Sequence, residues 1–325
     1  MTVEIERNLA LELVRVTEAA ALAAVRWLGR GNKEAADQAA VEAMRSVLSR
    51  IDMDGVVVIG EGEKDKAPML YIGEELGNGR PPRVDIAVDP IDGTRLLSQG
   101  MPGAISVVAL AERGSMYSAP PGIFYMNKIA VGRKAKGVID IRASVADNIH
   151  AVSRAIGREE GDITVMVLDR PRHEQLIHEI RATGARVRLI PDGDVAGAIT
   201  AAEEGTGVDM LMGIGGAPEA VVAACALKAM GGDMQCMVYF RSEDERRQVQ
   251  AAGIDPDAVY GLDDLVRSND VFFAATGITN GELLRGVRYT QSQAITDSVV
   301  MRSRSGTIRY IKAVHQGHKL SRFVE

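Results

Sequence analysis

From residue 145 to residue 230 the sequence alternates helical and strand-like apolar patterns, and this alternation constrains the fold more than any other feature. The pattern predicts, in turn, helix Val145–Ile156, strand Ile163–Leu168, helix His173–Ala182, strand Val187–Ile190, helix Val195–Glu203, strand Asp209–Gly213 and helix Ala217–Met230. Alternation of this kind is typical of a mainly parallel or mixed sheet that is covered by helices.

The preceding part of the chain predicts two helices and then a series of buried strands. Apolar residues at helical spacing occupy 9–28 and, after a Gly-Asn turn, 36–48. Short β-branched runs follow, and they predict the strands Gly55–Ile59, Val84–Val88, Ala104–Ala109 and Asn127–Val131. The whole pattern indicates an α/β fold of the mixed α+β kind.

The length of the chain indicates more than one core. Its 325 residues exceed the size that one core usually serves, roughly 100–200 residues. The apolar pattern breaks between Ala155 and Gly161. We therefore predict two αβ domains, one over residues 1–157 and one over residues 158–325.

Charge and apolar content exclude several classes of partner. With 38 basic and 44 acidic residues the net charge is −6, so no overall positive field attracts nucleic acid or anionic lipid. The apolar runs are shorter than the roughly 18–20 residues of a membrane span, and the N-terminus lacks the pattern of a signal peptide. Only two cysteines occur, Cys225 and Cys236. We therefore expect a cytoplasmic protein without nucleic-acid or membrane partners.

The strongest local signal is the segment DPIDGT, residues 89–94, directly after a predicted strand. Proline cannot extend a central strand, so we expect the chain to turn here, and glycine permits a tight turn. Asp89 and Asp92 could converge on Mg²⁺ or Mn²⁺, which prefer oxygen ligands, and Thr94 could face a phosphate or orient a water. An Asp-Pro turn with a helix-capping aspartate is the alternative, and the segment alone favours neither.

Two further acidic features precede that segment. Glu61 and Glu63 follow a predicted strand and share one face of an extended chain. An acidic surface loop is the alternative, but two acidic clusters at strand exits favour a cation, because carboxylates of like charge crowd together only when neutralised. Lys33 and Asp37 lie at i and i+4 on the second helix, where they could form a salt bridge or Asp37 could bind the metal.

The second half carries residues suited to phosphate and sugar. Arg170 and Arg172 follow a strand, where guanidinium groups could bind phosphate; surface arginines beside a helix start are the alternative. Asp192 and Asp194 could accept sugar hydroxyls, although for Asp194 a helix cap is favoured.

The glycine-rich segment 213–216 reads as a loop entering a helix, and such a loop could place backbone N–H groups against an anion. Glu219 falls in the first turn of that helix, where it could simply offset the helix dipole. The charge run Arg241–Gln250 predicts a solvated helix face or loop.

Taken together, these blocks resemble class II fructose-1,6-bisphosphatases, a bacterial family within the lithium-sensitive, metal-dependent sugar phosphatase superfamily. The resemblance covers almost the whole chain and rests on GNKEAADQAAVEAMR (31–45), VIGEGEKDKAPMLYIGE (58–74), VDIAVDPIDGT (84–94), FYMNKIAVG (124–132), RPRH (170–173), IPDGDVA (190–196), GIGGAPEA (213–220) and ATGIT (275–279). The DPIDGT element alone marks the superfamily, whereas the combination with GEGE and GIGGAPE is more specific.

The resemblance implies a layered α-β-α-β-α sandwich that forms a homodimer or homotetramer. It implies two or more Mn²⁺ or Mg²⁺ ions bound by Asp37, Glu61, Asp89, Asp92 and Glu219. Substrate contacts would fall on Asp92, Gly93, Thr94, Tyr125, Arg170, Pro171, Arg172, Asp192, Gly193, Asp194 and Gly216. On this basis we assign catalysis to Thr94, Glu61 and Asp92, with Lys33 balancing the charge of the acids.

The implied reaction is hydrolysis of the 1-phosphate of the small-molecule sugar bisphosphate fructose 1,6-bisphosphate to fructose 6-phosphate, a gluconeogenic step. The alternatives are a related phosphatase that acts on another sugar phosphate or on inositol phosphate, including sedoheptulose 1,7-bisphosphate, and a non-catalytic protein that senses phosphosugars.

Overall fold

A computed structural model describes residues 8–62, 69–118, 123–251 and 253–317. Its α-helices are α1 (Ala10–Ala24), α2 (Lys33–Leu48), α3 (Thr94–Ser98), α4 (Val145–Ile156), α5 (Glu174–Ala182), α6 (Asp194–Ala202), α7 (Ala217–Met230), α8 (Glu243–Ala251) and α9 (Leu262–Leu265). None of these described helices is both long enough and apolar enough to cross a membrane.

The described strands form two sheets. The strands are β1 (Asp54–Ile59), β2 (Glu75–Leu76), β3 (Arg83–Asp92), β4 (Ile105–Glu112), β5 (Tyr125–Val131), β6 (Thr164–Leu168), β7 (Arg186–Ile190), β8 (Met210–Gly216), β9 (Asp233–Tyr239), β10 (Val259–Gly261), β11 (Phe272–Gly277), β12 (Arg288–Tyr289), β13 (Gln293–Arg302) and β14 (Thr307–Gln316). The first sheet has the order β12-β13-β11-β4-β3-β1-β2, with β14 also paired to β13. The second sheet has the order β10-β9-β5-β8-β6-β7.

The described residues form three large apolar cores, which hold together five layers: helices, sheet, helices, sheet and helices. The first core lies between α1, α2 and the first sheet and includes Leu13, Met44 and Ile86. The second surrounds α7, which contacts strands of both sheets and so lies between them. The third lies between the second sheet and the helices α4 and α5 and includes Ile149 and Val165. The expected layered α-β-α-β-α arrangement is therefore confirmed.

Local signals explain where several helices begin and end. The Asn32 side chain accepts a hydrogen bond from the backbone N–H of Ala35 (3.0 Å) and so caps α2. The Ser144 hydroxyl caps α4 by accepting from the N–H of Asp147 (3.1 Å), and α4 ends at Gly157 in the left-handed conformation. The predicted bounds of α4 and α7 agree with the structure to the residue.

Two segments predicted to lie outside strands are strand instead. β3 continues through Pro90 to Asp92, and its register against β4 shifts between Asp89 and Asp92, so the proline falls at an irregularity of the ladder. The segment 213–216, expected to be a loop, is the end of β8 and pairs with β5. In both cases pairing with a neighbouring strand keeps the segment extended, although its proline or glycine residues favour a turn or loop.

The sheets do not follow the predicted division into residues 1–157 and 158–325. β5 precedes residue 157 but pairs with β8 and β9 in the second sheet. β11 to β14 follow it but return to the first sheet, where β11 pairs with β4. Each sheet therefore contains strands from both sides of residue 157, while the domain boundary itself stays a prediction.

Candidate active site

The first acidic cluster lies where β1 ends beside the parallel strand β3. β1 and β3 are parallel, and Ile59 is in register with Ala87. Glu61 and Asp89 each lie two residues further along, so the register brings them to the same edge of the sheet. Together with Glu219 they line a cavity of about 170 Å³. The sheet register therefore brings together acids that are far apart in the sequence.

Helix α2 brings a fourth acid to the same edge. The Thr94 hydroxyl donates a hydrogen bond to Asp37 Oδ1 (3.1 Å) and lies 3.2 Å from the carbonyl oxygen of Ile91. Thr94 begins α3, and Gly93 before it has φ +91°, a conformation that favours glycine. The tight turn expected at this glycine is therefore confirmed, and it directs the Thr94 hydroxyl toward Asp37.

Asp92 connects this edge to the second sheet. Its side chain is 4% exposed, and its Oδ2 accepts a hydrogen bond from the backbone N–H of Ala196 in the first turn of α6 (3.0 Å). The expectation that Asp194 caps this helix is therefore wrong: the capping carboxylate comes from Asp92, about a hundred residues earlier in the chain. The same contact holds the 192–194 segment against the DPIDGT segment.

Asp194 pairs instead with Lys128, which lies on β5. The Lys128 ammonium donates to Asp194 Oδ2 at 2.6 Å, and it is the one Lys or Arg side chain buried in the described ranges. Gly215 makes room for this pair, because a Cβ there would lie 1.9 Å from Asp194 Oδ2 and 2.9 Å from Lys128 Nζ. Sequence reasoning missed Lys128, although a single lysine within an otherwise apolar strand was the available signal.

Glu219 lies in the first turn of α7, as expected. Its Oε2 is buried without a hydrogen-bond partner. The carboxylate folds back over Gly216, where a Cβ would lie 1.8 Å from Oε2. A buried carboxylate oxygen without a partner is costly unless a cation or a proton satisfies it.

Burial raises the pKa of every acid in this cluster, and for all of them except Asp37 other carboxylates of the site raise the pKa further. Burial, followed by the charges of Asp37 and Glu219, raises the pKa of Glu61 to about 7, although the residue stands at the exposed rim of the cavity. Burial is also the largest cause of the raised pKa of Asp37, Asp89, Asp92 and Glu219. Neighbouring carboxylates raise the pKa of the last three further.

These acids fit hard divalent cations, because the donor set contains only oxygen and one oxygen lacks a partner. In the part of the chain that the structure describes, no three His, Cys, Asp or Glu side chains are grouped closely enough to hold an ion as they stand. The five acids therefore stay a predicted ligand set. Glu63 lies outside the described residues.

The predicted phosphate-binding arginines lie at the exit of β6. Arg170 donates to the carbonyl oxygen of Pro191 and to Asp192 Oδ1 (3.2 Å). Arg172 donates to the carbonyl oxygen of Ile214 (2.8 Å), and its guanidinium lies 5.7 Å from the centre of the Tyr125 ring. Both arginines therefore lie beside segments that the sequence predicts to bind substrate.

Lys33 is the predicted residue that the structure does not bring into contact with the acids. It is exposed at the first position of α2, and Asp37 accepts its hydrogen bond from Thr94 rather than from this lysine. Its charge still acts at a distance, because it lowers the pKa of Asp37 slightly against the effect of burial. A salt bridge between Lys33 and Asp37 is not formed.

A layered αβ fold with a cavity lined by carboxylates is what the resemblance to metal-dependent sugar phosphatases implies. Residues 7–315 match the family model described as "Bacterial fructose-1,6-bisphosphatase, glpX-encoded". The chain is 47% identical to fructose-1,6-bisphosphatase class 2 of Haemophilus influenzae over 322 residues, covering 95% of this chain and 96% of the relative. It is 46% identical to fructose-1,6-bisphosphatase 1 class 2 of Escherichia coli K12, covering 95% of each. The chain therefore belongs to the class 2 fructose-1,6-bisphosphatase family.

Proposed function

We propose that this chain hydrolyses the 1-phosphate of fructose 1,6-bisphosphate to fructose 6-phosphate and phosphate, a step of gluconeogenesis. Family membership and relatives that bear this name support the reaction. The structural observation that carries the proposal is the cavity lined by Glu61, Asp89 and Glu219, in which one buried carboxylate oxygen lacks a partner. A phosphatase that uses divalent ions needs such a cavity.

The family is one of metal-dependent phosphatases, and we propose Mn²⁺ or Mg²⁺ as the ions. The ligands would be Asp37, Glu61, Asp89, Asp92 and Glu219. When bound, divalent ions polarise a phosphoryl group and lower the pKa of a coordinated water. The raised pKa of Glu61, Asp89 and Glu219 supports this assignment, because a cation would offset both the burial of these carboxylates and the repulsion from their acidic neighbours.

Within this site the hydroxyl of Thr94 would orient the attacking water. Its hydrogen bond to Asp37 fixes the position of its oxygen at the start of α3. Asp37 is a suitable proton acceptor, because burial raises its pKa above the usual value of an aspartate. Glu61 and Asp92 would take part as charged groups beside the phosphoryl group, and Lys33 would contribute a long-range positive charge.

The second sheet would bind the rest of the substrate. Arg170 and Arg172 would hold the distal 6-phosphate, and Asp192 and Asp194 would accept sugar hydroxyls. The remaining proposed contacts are Gly93, Tyr125, Pro171, Gly193 and Gly216. The hydrogen bond between Asp92 and α6 supports this division, because it keeps the proposed sugar-binding segment next to the proposed metal ligands.

A phosphate-release assay tests the reaction. Protein depleted of metal by chelation should be inactive, and added Mn²⁺ or Mg²⁺ should restore hydrolysis of fructose 1,6-bisphosphate. Asp89→Asn should lower kcat/KM by about 1000-fold or more, whereas Asp255→Asn, at an exposed position, should leave it unchanged. Activity that survives exhaustive chelation would exclude the metal assignment.

A substrate panel distinguishes the alternatives. Fructose 1,6-bisphosphate, sedoheptulose 1,7-bisphosphate and inositol phosphate are compared at saturating metal. A preference for either of the last two would replace the proposed substrate, and no phosphate release from any of them would indicate a phosphosugar-sensing protein.

We also propose that the chain acts in the cytoplasm as a homodimer or homotetramer, with no nucleic-acid or membrane partner. Cys225 and Cys236 are both buried and free, which supports a reducing compartment. Exposed apolar side chains on β14, including Tyr310 and Val314, support burial of that strand in an oligomer. Light scattering in solution tests the subunit number.

A further inference from the structure

Tyr125 has two guanidinium groups beside its ring, and one belongs to an arginine outside the predicted site. The guanidinium of Arg241 lies 5.7 Å from the centre of the Tyr125 ring, the same distance as that of Arg172. It also lies 4.9 Å from the centre of the Phe124 ring. Both contacts are within the range of a cation–π interaction.

The sheet sets the position of Arg241. Tyr125 on β5 is in register with Tyr239, the last residue of β9, and Arg241 follows two residues later, before α8. An ion pair with Glu245 holds the guanidinium there: Nε donates to Glu245 Oε1 (2.7 Å), and the backbone N–H of Arg241 donates to Oε2 (2.8 Å). The register of β9 against β5 and the bonds to Glu245 therefore place Arg241 beside the Tyr125 ring.

We propose that Arg241 is a third arginine of the distal-phosphate site and favours bisphosphates over monophosphates. The inference rests on the proposed function. Much of the donor capacity of Arg170 is already used, by the carbonyl oxygens of Asp169 and Pro191 and by the carboxylate of Asp192. Arg172 and Arg241 flank one ring, and a dianionic phosphate near that ring offsets the repulsion between their charges.

The ion pair with Glu245 does not prevent this role. The Arg241 side chain is 54% exposed and that of Glu245 is 16% exposed, so water screens the guanidinium end of the pair and its contribution to the free energy is modest. A phosphate dianion accepts several charge-assisted hydrogen bonds and so competes for the guanidinium. The pair instead keeps Arg241 beside Tyr125 before substrate arrives.

The test compares Arg241→Ala with the matched control Arg246→Ala. Arg246 is partly exposed, lies over an aromatic ring (Phe240, 5.7 Å) and pairs with an acid, Asp257, but it is not among the guanidiniums beside Tyr125. With Mn²⁺ at saturation, Arg241→Ala should raise KM for fructose 1,6-bisphosphate by about 10-fold with little change in kcat. Hydrolysis of fructose 1-phosphate, which lacks the distal phosphate, should not change.

Binding of the product supplies a readout that does not depend on turnover. Calorimetry with fructose 6-phosphate should show about 10-fold weaker binding to Arg241→Ala than to the wild type or to Arg246→Ala. Unchanged binding of fructose 6-phosphate and unchanged KM for the bisphosphate would overturn the proposal. An equal loss of kcat/KM for fructose 1,6-bisphosphate and fructose 1-phosphate would also overturn it. A wild-type protein that releases no phosphate from fructose 1,6-bisphosphate would instead contradict the proposed function.

Discussion

Replacing Lys128 by methionine removes the ammonium group that pairs with Asp194, and we expect it to destabilise the protein by about 3–5 kcal/mol. The two side chains are 2% and 11% exposed, and the atoms that pair are 2.6 Å apart. At that distance and an effective dielectric constant of about 20, the Coulomb attraction is about 6 kcal/mol. The cost of desolvating both groups offsets part of that attraction, but methionine leaves Asp194 charged, half-buried and close to other acids.

Urea unfolding of the metal-free protein, followed by far-ultraviolet circular dichroism, measures this loss. The matched control is Lys134→Met, which breaks an ion pair of similar length with Glu204 (3.0 Å) that is mostly exposed, and we expect less than about 1 kcal/mol from it. The double variant Lys128→Met/Asp194→Asn should regain most of the lost stability, because no unpaired charge remains. A Lys128→Met protein as stable as the control, or a double variant no better than the single one, would refute the reasoning.

Three further predictions concern the candidate site. Thr94→Ala should lower kcat about 100-fold with little change in KM, whereas Thr94→Ser should retain most activity; steady-state kinetics showing a normal kcat for alanine would exclude the hydroxyl from the chemistry. Because the pKa of Glu61 is raised to about 7, its protonated form is favoured in the folded protein, so metal-free stability should fall as pH rises from about 4.5 through 7. The stabilisation by Mn²⁺ should grow over the same pH range, and thermal melts with and without the ion measure it. A shift in Tm on adding Mn²⁺ that stays constant with pH and is unaffected by Glu61→Gln would contradict a role for Glu61 as a metal ligand. Gly215→Ala should destabilise the fold by about 1–3 kcal/mol, because its Cβ would lie 1.9 Å from Asp194 Oδ2, whereas Gly161→Ala, whose Cβ would meet nothing nearer than 3.7 Å, should be tolerated in the same urea assay.

Much of the fold could be predicted because the relevant signals are local. The spacing of apolar residues placed α4 and α7 with the correct bounds, and a capping serine and a left-handed glycine sit at the ends of α4. Glu61 and Asp89 could be found for the same reason, since each closely follows an apolar strand pattern in the sequence. The continuation of β3 through Pro90 could not be predicted, because β4, the strand whose pairing supports it, comes from another part of the chain.

The sequence by itself therefore determined the order of helices and strands, the family, and the acids and arginines that follow individual strands. Only the tertiary structure decided that β5 joins the second sheet and that β11 to β14 return to the first. It also decided that Asp92 caps α6 and that Lys128 pairs with Asp194. The physical reason is that strand pairing, the burial of charge and capping by a distant side chain depend on which segments meet in space. Apolar periodicity and capping by the residue next to a helix depend only on neighbours within a few residues along the chain.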